Sequence, residues 1–318
     1  MSDKILLSDL LNIEHPIIMA PMFLVSNAKM LVAAGNNGIT GAVPALNYRT
    51  DEAFREAIKE INSKTNGPIG VNLIVNKSNP RLRQQLKTSL ELRVDYIITS
   101  LGSPEDVIKQ CKPLGIKVFC DVVNLKFALK VQELGADAII AVNKEAGGHA
   151  GPLSREELIP LLVDKCDIPV ISAGGVGNYE ELQKVLDLGA CGASIGSVFI
   201  ASEESDVSNE YKQACVDYGA KDIVMSTKVS GSPCTVINTP YVKQIGTKQN
   251  WLEAFLSKNK RLKKWVKMIT FAKGMKALQK SAFSATYKTV WCAGPTIEHV
   301  KAIKPVKAIV EGLVKNHQ

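Results

Sequence analysis

The residues best suited to chemistry are glycines that follow two neighbouring predicted strands. Gly174 and Gly175 follow one of these strands, and Gly196 and Ser197 follow the next. Glycine lets backbone N–H groups approach phosphate oxygens closely, and a helix N-terminus nearby adds partial positive charge. One such loop alone is more often just a tight turn. Two loops at adjacent strand ends favour a phosphate-binding site.

A histidine in a glycine-rich segment is the main acid–base candidate. His149 is flanked by Gly148 and Gly151, so we predict a tightly turned or mobile loop there. An imidazole with an ordinary pKa of about 6.5 exchanges protons near neutral pH. A surface histidine in a turn is the alternative, but the position after a predicted strand favours catalysis or substrate binding. We expect the other histidines to be structural or solvated.

Two more side chains belong to predicted strands or follow them. Asn72 lies in an apolar run, where its amide can hydrogen-bond the edge of a heteroaromatic ring or satisfy a polar group of the core. Met22 can pack on a planar ring or fill the core. Cys120 is expected to be a packing residue. No carboxylate or histidine pair converges at the strand ends, so no metal site is predicted.

These residues need a scaffold that gathers several strand ends. Short apolar runs alternate with amphipathic segments over about the first 200 residues. This alternation indicates a parallel sheet covered on both faces, and eight units indicate an α/β fold of the (β/α)8 TIM-barrel type. A doubly wound open sheet is the alternative. The predicted strands are 17–20, 39–43, 69–74, 96–99, 117–122, 138–142, 170–172 and 193–195, and the predicted helices are 51–63, 81–92, 104–112, 125–134, 155–165 and 179–188.

The alternation ends near residue 200. Residues 206–245 predict a helix followed by an irregular segment, and 296–314 predict a closing helix. Residues 248–290 have a helical pattern. We therefore predict one barrel formed by 1–247 and 291–318, with a helical insertion, 248–290, near its mouth.

The positive charge is concentrated in one segment. The net charge is +8, but residues 256–280 hold nine Lys or Arg and no acid, which leaves about −1 for the rest. This distribution does not indicate general nucleic-acid binding. Aromatic residues among these lysines leave open a helix lying on an anionic membrane or a phosphate-binding surface for nucleic acid. We favour aromatic side chains that cover the barrel and lysines that face water.

Composition predicts a cytoplasmic protein. A chain of 318 residues can bury a large core without disulfides or metals, and its seven scattered cysteines suggest a reducing compartment. The first residues do not read as a signal peptide, and no run reaches the ~20 apolar residues of a membrane span. We expect a small-molecule substrate, no nucleic acid and no stable membrane insertion. A homodimer is an open alternative.

Six stretches carry a family resemblance. In chain order they are PIIMAPM, GVNLI, EAGGHAG, PVISAGGVG, GASIGSVFIASEES and VWCAGPTIEHVKAIKPV. Together they resemble the nitronate monooxygenase family, formerly called 2-nitropropane dioxygenases, and its relative, the flavin-type enoyl-acyl-carrier-protein reductase. The stretches span about residues 15–205 and 290–306. The order of AGGH, AGG and IGS is specific, whereas each motif alone is weak.

The resemblance implies an FMN-dependent barrel with His149 as its catalytic or substrate-contacting residue. It places the isoalloxazine at the first strand and at Asn72, and the phosphate at the two glycine loops. The implied cofactor-binding residues are Ala20, Pro21, Met22, Asn72, Gly147, Gly174, Gly175, Ser194, Ile195, Gly196 and Ser197. Two positions depart from the pattern: Asn143 precedes the AGGH motif where many members have Gln, and Pro295 replaces a Gln after the late AG.

The resemblance also implies a reaction. The leading hypothesis is the oxidation of alkyl nitronates with O2. In the alternative, NAD(P)H is a co-substrate that reduces FMN, and the flavin then reduces an enoyl thioester or a quinone. Acyl carrier protein is a partner only in that alternative, which the basic segment favours because a basic rim speeds encounters with anionic partners.

Overall fold

Eight parallel strands close into a barrel in the computed structural model, which describes residues 5–77, 79–227, 233–248 and 290–315. The barrel closes where the first strand pairs with the last, with Ile17 opposite Ala193 and Met19 opposite Ile195. The predicted TIM barrel is confirmed, and the open sheet is wrong. The barrel strands are β1 (Ile17–Met19), β2 (Thr40–Pro44), β3 (Ile69–Ile74), β4 (Tyr96–Ser100), β5 (Lys117–Val122), β6 (Ala138–Val142), β8 (Val170–Ala173) and β9 (Gly192–Ile195).

Helices surround the barrel, and polar caps fix where several of them begin. The side chains of Asn27, Thr50, Asn124, Ser154 and Asn178 each accept a hydrogen bond from a backbone N–H in the first turn of the following helix. All six predicted helices are confirmed. The helices are α1 (Leu7–Leu11), α2 (Ala28–Gly35), α3 (Asp51–Lys64), α4 (Leu82–Glu91), α5 (Glu105–Cys111), α6 (Leu125–Glu133), α7 (Arg155–Lys165), α8 (Tyr179–Asp187), α9 (Asn209–Asp217), α10 (Pro240–Ile245) and α11 (Val306–Val314).

Aromatic rings fill the interior of the barrel. Tyr96 is fully buried, and its ring stacks on Phe119 with the ring centroids 5.2 Å apart. The Tyr96 hydroxyl lies 3.1 Å from the Thr40 hydroxyl. Gly70 faces this ring, and a Cβ atom there would collide with it. Leu7 of α1 belongs to the same buried cluster. The barrel is therefore a packed core below the C-terminal ends of its strands.

A small antiparallel sheet stands beside the barrel. It has the order β10–β11–β7, where β7 is Gly148–His149, β10 is Ile223–Ser226 and β11 is Cys234–Ile237. The segment predicted to be irregular thus contains β11 and α10, so that prediction is wrong. It failed because β11 is stabilised by pairing with β7, which is remote in the sequence.

The closing segment is also shorter than predicted. A 3-10 turn spans Pro295–His299, and α11 begins only after Pro305, because proline lacks the N–H group that a helix interior needs. The predicted insertion at 248–290 lies almost wholly outside the described residues. Within the described ranges, no helix is both long enough and apolar enough to cross a bilayer.

Candidate active site

One large cavity opens at the C-terminal end of the barrel, with a volume of about 710 Å³. This is within the range of about 300–1,000 Å³ that is common for ligand sites. All twelve residues singled out from the sequence line it. They are Ala20, Pro21, Met22, Asn72, Gly147, His149, Gly174, Gly175, Ser194, Ile195, Gly196 and Ser197. The barrel therefore brings together residues that lie up to 177 positions apart in the chain.

The loop after β8 has a backbone that only glycine adopts readily. Gly174 has φ +108° and Gly175 has φ +77°. A Cβ atom on Gly174 would overlap the Asn143 side chain and lie 2.5 Å from the Ala146 nitrogen. Because this turn comes just before the N-terminus of α8, it presents backbone to the cavity at a point of partial positive charge.

Three side chains, those of Asn143, Glu145 and Arg155, hold this glycine loop in place through hydrogen bonds and an ion pair. Asn143 is fully buried; its Nδ2 donates to the Gly174 carbonyl at 2.9 Å, and its Oδ1 accepts from the Glu145 N–H at 2.8 Å. The Arg155 guanidinium donates to the Gly175 carbonyl, and its Nε lies 3.8 Å from a Glu145 carboxylate oxygen. Asn143 does not line the cavity. Its side chain therefore supports the loop from outside the cavity lining.

The loop after β9 contacts the AG motif near the end of the chain, Ala293-Gly294. Ser197 begins a 3-10 turn, and its Oγ accepts a hydrogen bond from the Gly294 N–H at 2.8 Å. A Cβ atom on Gly147 would lie 2.8 Å from the Ser197 Oγ and 3.0 Å from the Gly294 nitrogen. Only a glycine at 147 allows these three segments to approach so closely. Pro295 follows directly and starts the next 3-10 turn.

The segment after β1 forms the wall beside this loop. The Met22 N–H donates to the Ser26 Oγ at 2.9 Å, and that hydroxyl donates to the Ala20 carbonyl at 3.2 Å. A Cβ atom on Gly196 would lie 3.5 Å from the Met22 sulfur and 3.6 Å from the Ala20 Cβ. The thioether therefore lies beside the β9 loop, where it can contact a planar ligand.

A hydrogen-bond chain crosses the floor of the cavity. The Asn72 Nδ2 donates to the Ser100 Oγ at 2.8 Å and to the Ile98 carbonyl at 3.2 Å. The Ser100 hydroxyl donates to the Asp121 Oδ2 at 2.5 Å. Since both amide hydrogens have partners, Asn72 has its carbonyl oxygen left to offer to a ligand.

Asp121 and Ser100 were missed from the sequence. Both line the cavity, and burial raises the pKa of Asp121 to about 6, although the Ser100 hydrogen bond opposes the rise. A signal did exist. Strand residues alternate between the two faces, and Ser100 and Asp121 lie on the same interior face as Ile98 and Phe119. A carboxyl on the interior face of a barrel strand near its C-terminal end is a functional candidate.

His149 lies in a strand, so the prediction of a mobile or tightly turned loop is wrong. Its partner across β7 and β11 is Cys234. The neighbouring Thr235 side chain accepts from the Gly148 N–H at 2.9 Å and donates to the Ala146 carbonyl at 2.8 Å. Part of the imidazole faces the cavity, while the surrounding walls lower the pKa of His149 by desolvation. The neutral form is therefore favoured at neutral pH.

Metal ligation has no support in the residues that the structure describes. Among them, no three His, Cys, Asp or Glu side chains come together as a metal site. What they do bring together is a glycine-lined cradle, a polar floor and a neutral imidazole around one cavity at the mouth of a TIM barrel.

This fold and site define a TIM-barrel enzyme. Comparison of the chain with known proteins places it among oxidoreductases. The chain belongs to the nitronate monooxygenase family, whose model matches residues 4–86 and 78–316. A probable nitronate monooxygenase of Staphylococcus saprophyticus is 27% identical over 281 residues, covering 74% of this chain and 79% of the relative.

Two other matches are to proteins that are not named as nitronate monooxygenases. The (3aS,4S,5R,7aS)-5-hydroxy-7a-methyl-1-oxo-octahydro-1H-indene-4-carboxyl-CoA dehydrogenase of Rhodococcus jostii is 31% identical, covering 75% of this chain and 67% of the relative. The structure of FabK from Thermotoga maritima superposes with a TM-score of 0.84 at 28% identity, covering 97% of this chain and 94% of FabK. The proteins that this chain resembles therefore include a dehydrogenase as well as a probable monooxygenase.

Proposed function

We propose that this chain is an FMN-dependent nitronate monooxygenase that oxidises alkyl nitronates with O2. The observation that carries the proposal is the meeting of two glycine loops, at the ends of β8 and β9, with His149 around one cavity. In TIM barrels these two loops are the usual phosphate site. Membership of the nitronate monooxygenase family supports the same reaction class.

The residues present fit a flavin mononucleotide. Gly174 and Gly175 have left-handed backbone and line the cavity, and Cβ atoms there would collide with Asn143, Ala146 and Glu145. In the proposal, Gly174, Gly175, Gly196 and Ser197 hold the phosphate, with Ser194 and Ile195 adjacent. Ala20, Pro21, Met22, Asn72 and Gly147 surround the ring system. When bound, FMN would supply the electron transfer, and the protein would supply orientation and exclusion of side reactions.

His149 would act on the substrate. A neutral imidazole can accept the proton from the carbon next to a nitro group, or donate a hydrogen bond to a nitronate already formed. The lowered pKa of His149 keeps it in the neutral state near pH 7. Because β11 fixes the backbone of β7, the imidazole is held at the cavity wall.

Asp121 would act through two other side chains. Its carboxylate holds the Ser100 hydroxyl, and that hydroxyl accepts from the Asn72 amide. The chain therefore orients Asn72 so that its carbonyl oxygen is available to accept a hydrogen bond from a bound ligand. Asp121 is a positioning residue in this proposal.

Anaerobic mixing with propyl-2-nitronate tests the activity. We expect the visible absorbance of the bound flavin to bleach when the nitronate is added and to recover when O2 is admitted. A flavin that stays oxidised with the nitronate present would refute the nitronate reaction but not the cofactor.

A second candidate has its own support. The similarity to a carboxyl-CoA dehydrogenase and to FabK, an enoyl-acyl-carrier-protein reductase, favours an NAD(P)H-dependent reduction of an enoyl thioester or a quinone. Fast bleaching by NADPH, with no response to nitronate, would decide for this alternative. Acyl carrier protein would be a partner only then. The basic segment 256–280 that favours it lies outside the described residues. The cytoplasmic location and the homodimer stay predictions.

A further inference from the structure

Two cysteines that the proposed chemistry does not use have their sulfur atoms in contact. The Cys234 Sγ and the Cys292 Sγ are 3.5 Å apart, and both residues line the cavity. All seven cysteines of the chain lie in the described ranges. Cys234 is almost fully buried, and Cys292 is partly buried. A small molecule that enters the cavity can therefore reach the pair.

The backbone holds both cysteines in place. Cys292 forms a β-bridge with Val236, which lies two residues after Cys234 and on the same face of β11. The Ile237 N–H donates to the Trp291 carbonyl at 2.9 Å, which also joins β11 to the segment that contains Cys292. The Tyr211 hydroxyl donates to the Cys292 carbonyl at 2.5 Å. The two sulfurs therefore stay adjacent through contacts of the main chain.

Joining the sulfurs requires the two backbone segments to move closer together. A disulfide has an S–S distance of about 2.05 Å, so the contact would shorten by roughly 1.5 Å. The two cysteines are diagonal neighbours across the bridge rather than direct register partners. Diagonal positions are about 7–8 Å apart at Cα, beyond the roughly 6.8 Å usual for a disulfide, so the two backbone segments must move closer and the bond would be strained and easily reduced.

We propose that Cys234 and Cys292 form a reversible disulfide in the cavity wall. This site of oxidative modification changes the position of His149 at the cavity. The inference holds for either substrate class of the cavity. It concerns the reaction of this chain with a two-electron oxidant of the peroxide class.

The reaction balances with hydrogen peroxide as the oxidant. One thiolate attacks a peroxide oxygen, the O–O bond breaks, and a sulfenic acid and a hydroxide form; the hydroxide takes the proton of that thiol and becomes water. The second sulfur then attacks the sulfenic sulfur. The S–O bond breaks, the S–S bond forms, and the departing hydroxide leaves as water with the second thiol's proton. In total, two thiols are oxidised and one peroxide is reduced to two waters.

The contacts of β11 connect the disulfide to the active site. Cys234 pairs directly with His149, and Thr235 hydrogen-bonds the backbone on both sides of Gly147. On the other side, Gly294 lies two residues after Cys292 and donates to the Ser197 Oγ. Shortening the S–S distance pulls these two segments together, so it moves β7 relative to the loop after β9.

The Cys292 thiol should react slowly at neutral pH. The hydrogen bond to Cys234 and burial raise the pKa of Cys292 well above its ordinary value. Since the thiolate is the reacting form, oxidation should accelerate as the pH rises.

Peptide mapping of the full chain tests the proposal. Protein reduced with dithiothreitol is treated with hydrogen peroxide, denatured with iodoacetamide, digested and analysed by mass spectrometry. We expect loss of the two free thiols and a peptide that joins Cys234 to Cys292, which dithiothreitol separates. Cys292→Ser should abolish it, whereas Cys215→Ser, a buried cysteine in α9, should leave it unchanged.

The effect of the disulfide on His149 can be measured separately and without a substrate. The rate at which diethylpyrocarbonate modifies His149 should change when the wild-type protein is oxidised, return with dithiothreitol and stay constant in Cys292→Ser. Two outcomes would overturn the proposal. One is alkylation or sulfinic-acid formation at both cysteines without a cross-link. The other is a cross-link that leaves the His149 rate unchanged.

Discussion

At the scale of single residues, His149 carries the proton chemistry of the proposal. We expect His149→Gln to lower turnover of a nitroalkane or its nitronate by about 10²–10⁴-fold, the usual contribution of a general acid or base. Flavin content should be unchanged, because the glycine loops remain intact. His15→Gln is the matched control: this histidine lies just before β1, at the base of the barrel. Turnover of His149→Gln close to that of the wild type would remove His149 from the mechanism.

The raised pKa of Asp121 leads to a prediction about how the stability of the fold depends on pH. Its pKa is raised from 3.8 to about 6 by burial, so the folded protein binds this proton more tightly than the unfolded chain. The contribution of Asp121 to the free energy of unfolding is therefore highest below pH 4 and is lost as the pH rises through 6. The change is on the order of 3 kcal/mol at 1.36 kcal/mol per pKa unit.

Asp121→Asn keeps an oxygen that can accept from Ser100 and removes the titration. We expect denaturant unfolding of this variant to lose the pH-dependent step between about pH 4 and pH 6 that is due to Asp121. The step should persist in Ser100→Ala, displaced upward because the Ser100 hydrogen bond lowers the pKa of Asp121. Identical pH curves for Asp121→Asn and the wild type would contradict the assignment.

At the scale of elements, the loop after β8 depends on left-handed backbone. We expect Gly174→Ala to lose bound flavin and to destabilise the fold by roughly 1–3 kcal/mol, the usual cost of a strained backbone conformation. Gly312→Ala in α11 is the matched control, because its Cβ would meet open space and alanine favours a helix. Flavin retention in Gly174→Ala equal to that in Gly312→Ala would argue against the cradle.

The sheet formed by β7 and β11 sets the position of His149. Thr235→Val removes a hydroxyl that pairs with both Gly148 and Ala146. Leaving such groups without partners costs about 1–3 kcal/mol, and we expect kcat to fall while flavin stays bound. Thr40→Val is a matched control at the barrel base, where the lost bonds go to Pro68 and Tyr96. It should lower stability without lowering kcat. Equal effects of the two variants on kcat would show that the sheet does not position His149.

At the scale of the whole molecule, the sequence predicted the features that repeat locally. Each barrel strand is a short apolar run, and several helices begin at a capping Asn, Ser or Thr, so strands, helices and barrel follow from local patterns. The twelve residues that the sequence and the family resemblance singled out line one cavity, as expected where TIM-barrel chemistry collects at the strand ends, and their binding roles stay predictions.

Features that depend on distant pairing were missed. The strand containing Cys234 is stabilised by β7 and β10, and its four residues show no sequence pattern of their own strong enough to separate them from a loop. The Asn72–Ser100–Asp121 chain needs the register of three neighbouring strands, which pairs Asn72 with Ile98 and Thr99 with Cys120. Short polar side chains separated by more than twenty residues give no local signal of such contact.

The central claim is that the cavity binds FMN through its phosphate, and a comparison of two flavins tests it most directly. The visible spectrum of the purified protein should show flavin absorbance. After removal of that flavin, titration should give much tighter binding of FMN than of riboflavin, which has the same ring and no phosphate. A colourless protein that binds neither flavin, or one that binds both with equal affinity, would contradict the account.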